Sequence, residues 1–195
     1  RDPGTASWRT KAMNIFALSA LALALVCVSA CATAPRLPPE AASDAFVIER
    51  DLVGASVARG EFRAITGTRR GFTAYLNGVW DGQTLTLVED FVFDDGERDR
   101  KTWRLSRIGE GRYVGTREDV VGQARGYQDG AAFRLEYDVV LPSQNGKGRR
   151  VHFQDVMVRT GAGSILNRAN VGWFGLRVAQ VELTIERETA AIAAE

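Results

Sequence analysis

Apolar and polar residues alternate along most of the chain after residue 45, and this pattern limits the fold more than any other feature. In the segment TLTLVEDFVF, residues 84–93, the side chains of Leu85, Leu87 and Phe91 would lie on one face of an extended strand. A two-residue period is typical of β-strands that bury one face and expose the other. The same period recurs in three later segments, residues 133–141, 151–157 and 181–185. All of them are predicted to be half-buried antiparallel strands.

Short turn sequences separate the alternating segments. Asp81-Gly82, Asp129-Gly130 and Asn145-Gly146 each contain a glycine that can adopt the positive backbone angles of tight hairpins. Roughly nine strands joined by hairpins would form a long meander, whose free edges are unfavourable unless the sheet curls and closes. The sequence therefore predicts an all-β fold over residues 45–188, an antiparallel up-and-down meander that closes into a lipocalin-like barrel or half-barrel. Residues 45–54 (AFVIERDLVG) are expected to form a short helix or plug before the first strand.

The densest acidic stretch, VEDFVFDDGERDRKTW at residues 88–103, is compatible with a metal site or with a turn. Calcium loops of the EF-hand type need acidic residues at alternate positions before the glycine, and Val92 and Phe93 interrupt that pattern. Residues 94–97 (DDGE) also lie between two alternating segments, where a hairpin turn is expected. We therefore interpret the acidic residues as turn residues and expect no bound metal and no cofactor.

The N-terminal part of the chain is typical of a secretory signal. The apolar run at residues 15–30 is short for a membrane-spanning helix but suits the core of a signal peptide. Met13 is the expected start of translation, with an upstream start as the alternative. Val28-Ser29-Ala30-Cys31 resembles the bacterial lipobox, in which a cysteine after small residues is acylated; an ordinary signal peptide with an incidental cysteine is the alternative. We predict that residues 1–30 are removed and that Cys31 carries palmitate, which anchors the chain in a membrane.

A lipidated Cys31 has consequences for location and chemistry. The residue after Cys31 is Ala32 and not Asp. By resemblance to sorted lipoproteins, this predicts a bacterial envelope protein on the outer membrane, facing the periplasm. Residues 31–44, rich in Pro and Ala, are expected to be a flexible tether, and residues 189–195 a disordered tail. Cys27 would leave with the signal, so the mature domain would have no thiol for a disulfide or a metal.

Charge and histidine content narrow the function further. The chain has 25 Lys and Arg against 24 Asp and Glu, a net charge of +1, unlike the basic excess of nucleic-acid-binding proteins. His152 is the one histidine, so a cluster of histidine ligands cannot form. Any Ser-His-Asp triad would have to use this histidine. Its place in the alternation predicts an outer or rim position. We expect no enzymatic activity and no nucleic-acid partner.

Two carboxylates occupy positions where the alternation predicts apolar side chains. Glu89 shares a face with Leu87 and Phe91, and Asp155 shares one with Phe153. A carboxylate among inward apolar residues either pairs with a cation or has a raised pKa. Each is therefore either the structural partner of an internal arginine or a polar anchor for a ligand inside the barrel.

Three further residues complete the candidate ligand site. Trp103 would contribute to an aromatic wall that either lines a cavity or fills the barrel. The segment at residues 165–175 (ILNRANVGWFG) departs from strict alternation, so Asn167 and Arg168 either support a bent strand or face a ligand. The predicted ligand-binding set is Glu89, Asp155, Trp103, Asn167 and Arg168.

A family resemblance is carried by three blocks: LVEDFVFDDGERDRKTWRL at residues 87–105, GRYVGTREDVVGQARG at 111–126 and NRANVGWFGLRVAQVELTI at 167–185. Their order and spacing resemble the bacterial lipoprotein family of domain of unknown function 3833 over residues 46–187. The resemblance implies a lipoprotein. That family has no established activity, so the resemblance implies no catalytic residues.

These observations favour a monomeric, membrane-anchored barrel that binds a small apolar or amphipathic, lipid-like ligand. Glu89 and Asp155 would be polar anchors beneath the aromatic wall. A structural or interaction module that docks an envelope protein is the alternative. An enzyme with paired carboxylates facing a cavity is a third hypothesis.

Overall fold

The computed structural model describes residues 34–141 and 148–188, which form a closed ten-stranded antiparallel barrel with one short helix. The helix, α1, is Ile48–Asp51. The strands are β1 Gly54–Ala64, β2 Arg69–Trp80, β3 Thr84–Phe93, β4 Arg98–Gly109, β5 Arg112–Thr116, β6 Ala124–Asp129, β7 Ala132–Leu141, β8 Arg149–Gly161, β9 Ser164–Trp173 and β10 Leu176–Arg187. The predicted all-β, up-and-down, lipocalin-like barrel is confirmed, with one strand more than expected. Because β5 and β6 have only five and six residues, alternation within them is too brief for a reliable strand count.

Closure of the barrel comes from pairing between the first and last strands. Each strand pairs with the next one along the chain, and β1 pairs with both β2 and β10. The closing ladder runs from Ser56 opposite Arg187 to Ala64 opposite Ala179. These pairs satisfy backbone groups that would otherwise be exposed sheet edges. The half-barrel alternative is therefore excluded.

The acidic stretch forms the β3–β4 hairpin, as expected. Gly96 in the turn has a φ of 85°, in the left-handed region that glycine adopts easily. Asp95 and Glu97 pair with Arg70 of β2, whose Nη2 lies 2.8 Å from Asp95 Oδ2 and 2.5 Å from Glu97 Oε2. These carboxylates therefore belong to the turn and to its ion pairs. Within residues 34–141 and 148–188, no group of three His, Cys, Asp or Glu side chains could hold a metal ion.

Helix α1 plugs one end of the barrel. Phe46, Ile48 and Leu52 lie before, within and after the helix, and at most 3% of the surface of each is exposed. Hydrogen bonds attach this segment to the barrel; among them, the Phe46 N–H donates to Ala131 O, and Gln128 Nε2 donates to Phe46 O, both at 2.9 Å. The expected helix or plug at residues 45–54 is present as a short helix that acts as a plug.

Glycine at position 78 makes room for the plug. A Cβ atom at this position would lie 1.8 Å from the carbonyl oxygen of Leu52, which is impossible without movement of the backbone. Because glycine has no Cβ, β2 can approach the end of the helix closely. The plug can therefore pack in this position because Gly78 has no side chain.

The end of the barrel opposite α1 is the open end. Near this end, the interior side chains of Phe62, Phe91 and Phe93 are only half buried. Near α1, by contrast, Leu85 and Phe133 are fully buried. Among the described residues, the interior is therefore more accessible to solvent at the end opposite the plug.

Residues 34–42 run along the outer wall of the barrel. Pro35 O accepts a 2.8 Å hydrogen bond from Arg134 Nη1, and the Ala42 N–H donates to Arg159 O at 2.7 Å. Ala41 packs against an apolar cluster on the outer face, formed by Ala132, Val156, Val158 and Leu166. This part of the predicted tether therefore lies on the barrel.

The predicted signal segment, Cys31 and the tail at residues 189–195 lie outside the described residues. Lipidation and location in the envelope accordingly stay predictions. In the part of the chain that the structure describes, no helix is long and apolar enough to cross a bilayer.

Candidate functional site

The barrel interior holds a cavity of about 250 Å³ that reaches from Leu52 at the plug to Phe93 at the open end. Ligand pockets commonly have about 300–1,000 Å³, so this one suits a small molecule. Most of its wall is apolar and includes Ala58, Phe72, Ala74, Leu76, Leu105, Leu135, Met157 and Val181. The aromatic and aliphatic side chains thus line a space and do not completely fill the barrel.

The inward side chains of β3 show how apolar and polar groups are arranged along the barrel axis. From the open end toward α1 they are Phe93, Phe91, Glu89, Leu87 and Leu85. The rings of Phe91 and Phe93 stack with centroids 5.9 Å apart. Phe72 meets both edge-on, at 5.6 and 6.1 Å. These three rings form an aromatic mouth, and the level of Glu89 lies between that mouth and an aliphatic floor.

Five polar side chains meet at the level of Glu89, and we call them the polar cluster: Glu89, Arg117, Tyr137, Asp155 and Asn167. Arg117 Nη1 lies 3.8 Å from Glu89 Oε2. Tyr137 Oη donates a hydrogen bond of 3.4 Å to Asp155 Oδ2, and Asn167 also donates to Asp155. The shortest contacts of Arg117 are with Asp119, at 2.7 and 3.2 Å. The cation of the cluster is therefore held mainly by a carboxylate outside it.

Three acceptor oxygens of the polar cluster have no hydrogen-bond donor among the described residues. They are Glu89 Oε2, Asp155 Oδ1 and Asn167 Oδ1, and all three are buried. A buried polar atom left without a partner costs about 1–3 kcal/mol, and such atoms are rare in native proteins. Because all three residues line the same cavity, a molecule that donates hydrogen bonds there would remove this cost.

Burial raises the pKa of both carboxyl groups in the cluster. For Glu89, loss of solvation raises the pKa to about 7, against the lowering effect of Arg117. For Asp155, burial raises the pKa to about 7, although Arg117 and the hydrogen bond from Tyr137 both favour the ionised form. Each carboxyl group therefore changes its protonation near neutral pH.

The other two ionisable groups of the cluster do not titrate near neutral pH. Burial raises the pKa of the Tyr137 hydroxyl, so this group stays protonated and can donate. Burial alone would lower the pKa of Arg117, but the neighbouring Tyr137, Glu89 and Asp119 outweigh it and raise that pKa. Arg117 is thus a permanent cation beside two carboxyl groups that change state.

Aromatic rings support the polar cluster. Trp103 and Tyr137 meet edge to face with centroids 5.0 Å apart, and Tyr137 stacks on Phe153 at 5.1 Å. The Arg117 guanidinium carbon lies 4.7 Å from the Trp103 ring centroid and 5.3 Å from that of Tyr137. Attraction between the cation and these ring faces helps to fix the position of Arg117.

Four of the five predicted ligand residues line the cavity: Glu89, Asp155, Trp103 and Asn167. The prediction for Arg168 needs correction. Its side chain lies on the outer wall, where Nε donates a 2.6 Å hydrogen bond to Glu182 Oε2. Because Asn167 faces inward and successive strand residues point to opposite faces, Arg168 cannot also line the cavity.

The sequence-based set omitted two members of the polar cluster. Tyr137 has the same place in the alternation as Leu135 and Val139, which correctly predicts an inward side chain. The same pattern predicts an apolar core position and gives no sign that the hydroxyl group belongs to a polar site. Arg117 was not distinguished from the other arginines of the chain, although the sequence predicts an internal arginine as a possible partner of the carboxylates. Arg117 follows the last residue of β5, in a segment that pairs with the barrel only through an isolated bridge between Val120 and Val139. Because this segment is not a regular strand, alternation does not predict which way the Arg117 side chain points.

His152 lies outside the cavity, as the alternation predicts. Its Nδ1 is 2.8 Å from Asp138 Oδ1, and it is partly exposed to solvent. The one histidine is therefore unable to act on a molecule bound beside the polar cluster. The expectation that the protein is not an enzyme stays a prediction.

Comparison with known proteins supports the fold and the family resemblance. A family model described as "Protein of unknown function (DUF3833)" matches residues 25–187. The S-type phycobiliprotein lyase CPES from Guillardia theta has a similar structure, with a TM-score of 0.55 at 10% identity over 73% of this chain and 92% of the lyase chain. A protein of unknown function from the DUF3598 family of Nostoc punctiforme PCC 73102 has a TM-score of 0.50 at 14% identity, over 78% of this chain and 52% of its own. No curated protein matches the sequence significantly.

Proposed function

The chain belongs to the protein family of unknown function DUF3833, and from that premise we propose that its barrel binds a small amphipathic molecule. The polar end of the ligand lies at the polar cluster. Its apolar part lies against the aromatic mouth, Phe72, Phe91 and Phe93, and extends toward the open end. A cavity of about 250 Å³ limits the enclosed part to a short chain or a single ring.

The three buried acceptors without a donor carry this proposal. Glu89 Oε2, Asp155 Oδ1 and Asn167 Oδ1 lower the stability of a barrel that has nothing in its cavity to donate to them. Replacing buried ionic groups by well-packed apolar residues often leaves the stability of a protein unchanged or increases it. Stability alone therefore does not explain why this cavity contains buried polar groups. Polar groups of this kind, converging in an otherwise apolar pocket, are typical of ligand sites.

We also propose that the barrel works at the bacterial envelope, anchored through acyl chains on Cys31. The apolar run at residues 15–30 and the lipobox-like Val28-Ser29-Ala30-Cys31 support this location. In that setting, a barrel with an apolar cavity would bind a lipid-like molecule of the periplasm or of the adjacent membrane.

Native mass spectrometry of the protein purified from its own host tests ligand binding. We expect an added mass on the wild-type protein that dissociates on collisional activation. Ala169→Phe places a ring in the cavity and should abolish the added mass, since Ala169 is buried and lines the cavity. Asn77→Phe adds the same ring on an exposed position of β2 and should keep it. Equal ligand retention by the two variants, with both folded by circular dichroism, would exclude the cavity as the binding site.

A second function, docking of an envelope partner, is favoured by apolar side chains at the open end. Trp173, Phe174 and Leu176 expose 36%, 88% and 51% of their surfaces, and Ile65 in the neighbouring β1–β2 turn exposes 72%. The two turns are adjacent, because the Ile65 N–H donates to Val178 O at 2.9 Å. Clustered exposed apolar residues often mark interaction surfaces. Photocrosslinking from position 174 in cells should then recover one specific protein, and failure to recover any would remove this candidate.

A further inference from the structure

We propose that the polar end of the ligand is a primary ammonium group, so that the barrel binds a short-chain amphipathic amine. This inference rests on the proposed function, because it specifies the ligand of the same cavity. It follows from two independent properties of the polar cluster, its hydrogen-bonding capacity and its charge.

The atoms of the polar cluster that are available to a ligand are hydrogen-bond acceptors. The three atoms without a hydrogen-bond donor among the described residues, Glu89 Oε2, Asp155 Oδ1 and Asn167 Oδ1, are all oxygens. A primary ammonium group has three N–H donors and no acceptor, which matches this set one to one. A carboxylate ligand offers only acceptors, so it cannot pair with the ionised oxygens of Glu89 and Asp155 and is repelled by them.

The charges of the cluster point the same way. Arg117 makes a two-point contact with Asp119, and its contact with Glu89 is longer, at 3.8 Å. Glu89 and Asp155 are therefore two carboxyl groups that share one cation already paired elsewhere. An ammonium group between them would let both ionise, with two positive and two negative charges in the cluster.

No other described cation inside the barrel takes this role. The charged and titratable groups that act on Glu89 are Arg117, Asp119, Glu118 and Lys101, and those that act on Asp155 are Arg117, Tyr137 and Glu89. Lys101 Nζ lies 2.9 Å from Asp99 and 3.8 Å from Asp119, so its charge is directed toward those carboxylates. The faces of Trp103 and Tyr137 offer further attraction to a cation in the cavity.

An ammonium ligand gives binding a defined pH dependence. Glu89 and Asp155 must lose their protons to accept an ammonium group, and in the free protein the pKa of each is about 7. Affinity for an amine should therefore rise with pH, by about tenfold between pH 6 and pH 8 for each proton released. A carboxylate ligand requires the protonated groups, so its affinity would fall over the same interval.

Calorimetric titration with hexylamine, hexanol and hexanoate tests the inference, with the full chain in lipid nanodiscs and protein-free nanodiscs as the blank. Hexylamine stays protonated at both pH values, as the lysine side chain does. We expect hexylamine to bind at least tenfold more tightly than hexanoate at pH 8, and tenfold to about a hundredfold more weakly at pH 6 than at pH 8, because up to two protons are released. The neutral, similarly shaped variants Glu89→Gln and Asp155→Asn should each lose tenfold or more in affinity for hexylamine at pH 8. Glu182→Gln, on the outer wall, is the matched control and should bind as the wild type does.

The outcomes separate this inference from the proposed function. Hexanoate or hexanol binding at least as tightly as hexylamine, or hexylamine affinity that does not change between pH 6 and pH 8, overturns the ammonium proposal and leaves ligand binding in the barrel intact. If none of the three probes binds, both proposals fail.

Discussion

Arg117 Nη1 lies 3.8 Å from Glu89 Oε2 inside the barrel, beyond hydrogen-bonding distance but well within the range of strong attraction between charges. The guanidinium is held in this position by Asp119, and the ring of Trp103 lies beside it. Glu89 thus faces a cation that other groups have fixed at a distance. Both side chains line the cavity, so a bound molecule can donate a hydrogen bond to Glu89 Oε2, which has no donor among the described residues.

The free energy of unfolding should fall as the pH rises from 5 to 8. Glu89 and Asp155 have ordinary pKa values of 4.5 and 3.8, and burial raises both to about 7 in the folded protein. With a raised folded pKa, the stabilisation is complete below the unfolded pKa and is lost as the pH rises through the folded pKa. Each shift corresponds to about 3 to 4 kcal/mol, and the two together to less than their sum, because the groups interact.

Urea unfolding at pH 5 and pH 8 measures this loss. The double variant Glu89→Gln/Asp155→Asn should retain most of its stability at pH 8, since neither amide can ionise. A wild-type protein that is equally stable at the two pH values would contradict the raised pKa of these carboxyl groups.

Arg117→Met should destabilise the barrel more at pH 8 than at pH 5. The guanidinium favours the ionised forms of Glu89 and Asp155, which predominate only at the higher pH. Removing one partner of a buried ion pair costs about 3–5 kcal/mol while the other partner remains charged. Arg168→Met is the control, because its pairs on the outer wall are worth about 0–1 kcal/mol. Urea unfolding of both variants at the two pH values is the measurement, and an equal loss for Arg117→Met at both would show that its role is packing.

Gly78→Ala should lower stability by about 3 kcal/mol through overpacking against the plug. The added Cβ would lie 1.8 Å from Leu52 O, so either β2 or the end of α1 must move. Gly109→Ala is the matched control, because a Cβ there has no atom within 4 Å. Thermal unfolding of the two variants should separate them clearly. Similar midpoints would show that the plug is not held against β2.

Cys31→Ser should abolish incorporation of radiolabelled palmitate and release the protein from the membrane fraction. Cys31 is the expected acylation site and the expected first residue once residues 1–30 are removed, and serine at this position has no thiol to acylate. Cys27→Ser is the internal control, because that residue lies within the predicted signal segment and its loss should leave labelling unchanged. Labelling that survives Cys31→Ser would show that this cysteine is not the anchor.

Local alternation was enough to find most of the candidate site. Glu89, Asp155 and Trp103 occupy inward positions because strand geometry sends every second side chain to the same face, and that rule needs no knowledge of the partner strands. Arg168 was assigned wrongly because the segment around it departs from clean alternation, and only the pairing of β9 with β8 and β10 shows which neighbour faces inward. Arg117 lies beyond the end of β5, where no period applies.

The amino-acid sequence by itself determined most of the strands and hairpins and the side of the sheet on which each carboxylate lies, because these follow from backbone geometry over a few residues. Tertiary structure alone decided that the sheet closes between β1 and β10, that residues 34–42 lie on the outer wall, and that Arg117 meets Glu89. It also decided the pKa of Glu89 and Asp155, since loss of solvent depends on every strand around them. Contacts between residues far apart in the chain, and the exclusion of water that they produce, are what turn two inward carboxylates into a site.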